Sequence, residues 1–137
     1  MIRNVSCGLL AVICLLLATA TVFAHHSVAG EFDVNKPIQF TGTVKLIEWT
    51  NPHGWTQVEV KNADGTVSIY RVEIGAPISL YRQGWRKDSV KPGAVVNFKG
   101  IRAKNVNSRN VNGALTLPDG TRLWSGDGPA GAQAGAQ

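Results

Sequence analysis

Ile38-Gln39-Phe40-Thr41-Gly42-Thr43-Val44-Lys45-Leu46-Ile47-Glu48-Trp49 is the stretch whose periodicity decides the fold. Ile38, Phe40, Val44 and Leu46 fall on one face, while Gln39, Thr41, Thr43 and Lys45 take the other. That alternation is the mark of a strand with one buried face. Gly42 leaves no side chain on the buried face, a common sign of the bend that a small barrel needs. The alternation slips at Ile47 and Trp49, where a bulge is expected.

Working downstream, Asn51-Pro52 breaks the run, and Trp55 to Val60 resumes it with Thr56, Val58 and Val60 on one face. Asn62-Ala63-Asp64-Gly65 has turn chemistry and leads into the β-rich Val67 to Ile74, so the two runs form a hairpin. Gly75-Ala76-Pro77 opens a short helix that stops near Gly84, with Ile78, Tyr81 and Trp85 as its apolar side. After the turn Lys91-Pro92-Gly93, Ala94 to Ile101 reads as a strand with Val96 and Phe98 together. Asn105 to Gly113 is polar and aperiodic and reads as a loop. Leu115 to Leu117 and Thr121 to Trp124 flank Pro118-Asp119-Gly120 as a final hairpin or strand end. Upstream, Ser27 to Pro37 has no period and reads as an arm or loop.

This order predicts an all-β protein, a small five-stranded OB-like Greek-key barrel with one short helix between strands 3 and 4. A small open β-sandwich is the alternative. The expected division is a secretory signal peptide over 1–24, a single β-barrel domain with an N-terminal arm over 25–124, and a disordered tail over 125–137. The tail is Gly, Ala, Gln and Pro, too poor in apolar bulk to fold.

The leader has a positive start at Arg3, an apolar run of about ten residues from Leu9 to Ala18, and a small-residue cleavage site at Val22-x-Ala24. The run is too short to span a bilayer, which takes about 20 apolar residues, so export to the periplasm or beyond is expected, without a stable membrane anchor. A cut after Ala20 is the alternative and would leave Thr21 to Ala24 ahead of the histidines. Cys7, Cys14 and Met1 all leave with the leader, so any metal site in the mature chain must use nitrogen and oxygen. Of the 14 basic residues only Arg3 is removed, leaving a net charge of +4 against 9 acidic residues. Apart from Arg102, Lys104 and Arg109 in one polar loop, the basic residues are spread out, so no nucleic-acid partner is expected.

All 3 histidines lie in two short segments, His25-His26 and Asn51-Pro52-His53. Cleavage after Ala24 makes His25 the first residue, with its amine beside its imidazole. Amine and ring nitrogen close a six-membered chelate, and a distant histidine supplies a third nitrogen. Such a set suits Cu(II), which favours planar nitrogen coordination and tops the divalent affinity order. Zinc is the runner-up and would need His26 or a carboxylate such as Glu31 or Asp33. His53 is the expected third ligand, ranked with His25 above His26, because successive side chains of an extended arm point to opposite sides. Glu31 and Asp33 are candidate outer partners of the rings, and Trp49 and Trp55 candidate walls beside His53. The bland alternative has His53 bonding a backbone carbonyl while the tryptophans close one end of the barrel. No serine or cysteine nucleophile has a base partner, and no glycine loop could cradle phosphate.

Ala24-His25-His26-Ser27, Glu31-Phe32-Asp33, Gly42-Thr43-Val44, Trp49-Thr50-Asn51-Pro52-His53, Gly84-Trp85 and Lys91-Pro92-Gly93 together resemble a family of short exported bacterial proteins catalogued as a domain of unknown function. The resemblance covers nearly all of the mature chain and implies an exported single domain. At His25 alone, the start looks like that of the histidine-brace copper proteins, which include periplasmic copper carriers and oxidative polysaccharide-cleaving enzymes. The chain is short for the latter. The expected function is periplasmic copper binding or delivery, with the metal ion and a periplasmic protein as partners. The alternatives are a non-metal module for a sugar, peptide or protein, and a small copper oxidoreductase.

Overall fold

The computed structural model of the protein describes residues 28–125; residues 1–27, with the expected leader, His25 and His26, and residues 126–137 lie outside the described residues. A single turn of helix, α1 (Val28–Glu31), runs into a long strand, β1 (Phe32–Glu48). Then come β2 (Trp55–Lys61), β3 (Val67–Glu73), the short helix α2 (Pro77–Arg82), β4 (Val95–Ala103), β5 (Asn110–Thr116) and β6 (Arg122–Ser125). The sheet order is β3-β2-β1-β4-β5-β6, and β3 also pairs with β5. The protein is therefore all-β, a ring of five strands in the OB-like order with its one helix between strands 3 and 4. The closing β3–β5 pairing is parallel, and the other pairings are antiparallel.

β1 pairs with β4 through its first part and with β2 through its second, so it bends across the ring. Gly42 sits at the crossing, where a Cβ would stand 2.5 Å from the Glu59 carbonyl oxygen and 2.6 Å from Val58 Cγ1. The expected bulge lies earlier than its sequence signal, between Val44 and Leu46. Leu46 consequently turns outward and is 48% exposed, while Ile47 and Trp49 pack against the core.

The main core joins Val44, Val58, Val72, Val96, Phe98 and Leu115 inside the ring. Removing each such side chain from water contributes about 1.5–3 kcal/mol. In α2 the buried residue is Leu80, whereas Ile78 and Tyr81 face solvent, contrary to the expected apolar side. The Gly84 stop holds. Its φ is +90°, the Gly84 N–H donates to the Tyr81 carbonyl at 3.0 Å, and the Trp85 N–H donates to the Leu80 carbonyl at 2.9 Å. These are the two bonds of a Schellman ending.

Two segments read as loop or arm are more ordered than their composition suggested. The segment read as an arm forms α1 and the start of β1, because Phe32 is buried with Ile101 and Ala103 in a second cluster under Val28 and Trp55. The end of the Asn105–Gly113 loop belongs to β5, and Arg102 belongs to β4. The final hairpin adds a sixth strand to the expected five, pairing with β5.

Candidate metal centre

His53 sits in the connection between β1 and β2, just after a cis Asn51–Pro52 peptide. The Thr50 hydroxyl donates to the His53 carbonyl at 3.3 Å. The Ile74 N–H donates to the Gly54 carbonyl at 2.9 Å, which ties the connection to the end of β3. His53 Nδ1 makes a short contact with Glu73 Oε1. Glu73, the last residue of β3, is only 6% exposed, and its Oε2 accepts from Asn112 Nδ2 at 3.0 Å. Asn112 is fully buried and is the register partner of Glu73 across the parallel seam. The relay from Asn112 through Glu73 to His53 is therefore anchored where the ring closes. With Nδ1 taken by a carboxylate, Nε2 is the nitrogen left to coordinate, and the ring is held in orientation.

A cavity of about 230 Å³ opens beside the ring, lined by Glu31, Glu48, Asn51, His53, Trp55 and Glu73 among others. Three of these are carboxylates; Arg71 also lines the cavity and pairs with Glu48, while Glu73 is engaged by His53 and Asn112. Glu31 ends α1 and accepts from Asn110 Nδ2 at 3.0 Å, while the Lys104 N–H donates to its carbonyl at 2.9 Å. Val28 packs on the same small cluster as Trp55. The turn of α1 thus borders, through Glu31, the cavity that holds His53. Two residues, His26 and Ser27, lie between His25 and Val28, a span of up to about 10 Å when extended.

Glu48 accepts from Gln57 Nε2 at 2.8 Å and from Arg71 Nη2 at 2.9 Å. Those two donors hold its carboxyl below the usual range, so its charge is already engaged. The Arg71 guanidinium in turn lies over Trp55, 4.6 Å from the ring centroid.

The structure brings together His53, Glu31 and Trp55 from the expected set. Asp33 is turned elsewhere. It accepts from the Asn35 N–H at 3.0 Å and pairs with Lys36 at 3.4 Å, and these contacts lower its pKa, the backbone bond most. Trp49 packs against the main core and does not line the cavity. His25 and His26 lie outside the described residues. Among the described residues, no three His, Cys, Asp or Glu side chains form a group that could hold a metal, so a metal bound through His53 needs ligands from beyond them.

Glu73, Asn112, Glu48 and Arg71 were not singled out from the sequence. The available signal was Glu73 itself, a carboxylate between Val72 and Ile74 at the end of an apolar strand. Asn112 gave none, since it lies in a polar, aperiodic stretch.

Among the described residues, no helix is long and apolar enough to cross a membrane. No curated protein and no solved structure matches the chain. Residues 11–112 match a family described as a family of unknown function, DUF6152, and with most of its length covered the chain belongs to that family.

Proposed function

We propose that this is an exported copper-binding or copper-delivery protein in which His53 Nε2 and an N-terminal chelate of His25 hold one Cu(II). The observation that carries this reading is the relay behind His53, a buried carboxylate on Nδ1 that is itself held by a buried amide. Metal-ligating histidines need such support, and losing it typically costs 10–100-fold in affinity. The place of α1 at the border of the same cavity supports His25 as the chelating partner. Copper is favoured over zinc because an amine and imidazole chelate with a third imidazole suits the planar nitrogen coordination of Cu(II), which tops the divalent affinity order, whereas zinc asks for a fourth, tetrahedral ligand.

The test uses a chain beginning at His25, free of any tag. It should bind one Cu(II) with a nitrogen-rich electron paramagnetic resonance spectrum, and one residue added before His25 should weaken binding sharply by separating amine from ring. His53→Ala should also lose affinity, and His26→Ala less. Metal analysis of protein isolated from the periplasm should return copper. Equal binding by native and extended chains would sink the brace, and zinc in the isolated protein would replace copper.

A second reading, a non-metal module, is favoured by a separate groove of about 460 Å³ lined by Gln39, Phe40, Thr41, Asn97 and Lys99 among others. Its mixed polar and aromatic lining suits a sugar or peptide. Metal-free protein from the periplasm that retains an organic ligand would favour this reading.

A further inference from the structure

The mouth of the ring at Tyr70 carries two cations that share one surface. The Arg102 guanidinium lies over Tyr70 at 5.8 Å from the ring centroid, and that of Arg109 at 5.6 Å. One face of Tyr70 is occupied. Phe40 stacks on it with centroids 4.6 Å apart and planes 19° from parallel. The two centroid distances place the charges no more than about 11.4 Å apart, on the order of one Debye length at 0.1 M salt, ~10 Å.

Neither arginine has an ion-pair partner among the described residues. The carboxylates nearest in the ladder are engaged elsewhere. Asp33, the register partner of Arg102, takes the Asn35 N–H and Lys36. Glu31 takes the side-chain amide of Asn110. The two guanidiniums also stand on fixed backbone. Arg102 is paired on both sides, with Asp33 and Val111, and the Arg109 carbonyl accepts from the Arg71 N–H at 3.0 Å. A third polar group is present, since Arg109 Nη1 lies 3.5 Å from the Tyr70 hydroxyl.

Two like charges held beside one ring repel each other, and an anion between them offsets that repulsion. Arginine forks match the oxygens of phosphate and carboxylate groups, and two fixed positive charges favour a dianion over a monoanion. We propose that Arg102, Arg109 and the Tyr70 hydroxyl form a binding site for a phosphate-type dianion, separate from the His53 cavity and independent of the copper reading.

The experiment titrates the mature chain with inorganic phosphate at constant ionic strength, near pH 7.5, by calorimetry and by the side-chain NMR signals of arginine. Saturable binding is expected, with Arg102→Gln and Arg109→Gln each weakening it by at least about fivefold, the loss of one charge-assisted contact. Acetate, a monoanion with similar oxygens, should bind at least about tenfold more weakly. Because both arginines are exposed, the variants should fold, and thermal unfolding supplies a second reading. Phosphate should raise the midpoint of the parent by linkage and leave that of Arg109→Gln unmoved. In chloride alone, Arg109→Gln should unfold no earlier than the parent, because one side of the repulsion has gone. Absent saturable binding, phosphate affinity unchanged in both variants, or acetate bound as tightly as phosphate would each overturn the site.

Discussion

Glu73 is a carboxylate almost out of water, with one oxygen on His53 Nδ1 and the other on the Asn112 amide. Glu73→Ala would strand a fully buried amide and release the imidazole, so it should cost about 1–3 kcal/mol of stability. Urea unfolding would measure this, and an unchanged midpoint would show that the relay contributes no stability. Glu48 makes a different prediction. Gln57 first, and then Arg71, lower its pKa from the ordinary 4.5. A carboxyl whose pKa is depressed by folding stabilises the fold above its unfolded pKa, and that stability is lost as pH falls through the folded value. The thermal midpoint should therefore drop below about pH 4.5 less steeply in Glu48→Gln than in the parent. At this scale the sequence disclosed the histidine and Glu31, because imidazole is rare here and clustered. It did not disclose Glu73, because an alternating pattern assigns a charged residue to solvent unless something covers that face. What covers it is a neighbouring connection and a strand distant in sequence, neither of which a local period records.

Among the elements, β2 was the most legible, since Thr56, Val58 and Val60 are buried as their spacing requires. β1 was legible as a strand but not in its register. Leu46 and Ile47 are both apolar, so either could have faced inward, and the choice is made by an extra residue opposite Val58 and Gln57. β5 was read as loop at its start because Asn110 and Asn112 carry no strand signal. Their place is fixed by backbone pairing with β3 and β4. The bend of β1 at Gly42 is sensitive to a single atom. Gly42→Ala would press a methyl group against the Glu59 carbonyl and Val58, and overpacking of this kind costs about 1–3 kcal/mol. Chemical denaturation of the variant checks this, and a loss well under 1 kcal/mol would mean that β1 and β2 can separate freely there.

On the scale of the whole molecule, the ring closes over a short length. The parallel seam of β3 and β5 has three register pairs, Arg71 with Asn110, Val72 with Val111 and Glu73 with Asn112. The antiparallel β2–β3 pairing, by comparison, has seven. Opening of a fold starts where the fewest contacts must be broken, so the seam should part before the rest of the ring. Its last pair, Glu73 with Asn112, is also the support of His53. Seam opening and loss of the coordinating geometry then become a single event, and a ligand held through His53 must slow the breathing of β3 against β5. Amide hydrogen exchange at Arg71, whose N–H donates across the seam to the Arg109 carbonyl, should fall on addition of Cu(II), while exchange in the α2 turn stays as it was. Equal protection in both places would mean that the ligand tightens the protein generally and that the seam is no hinge. With protection gained at the seam alone, the shortest join in the ring acts as a gauge of occupancy, readable from the backbone without observing the metal.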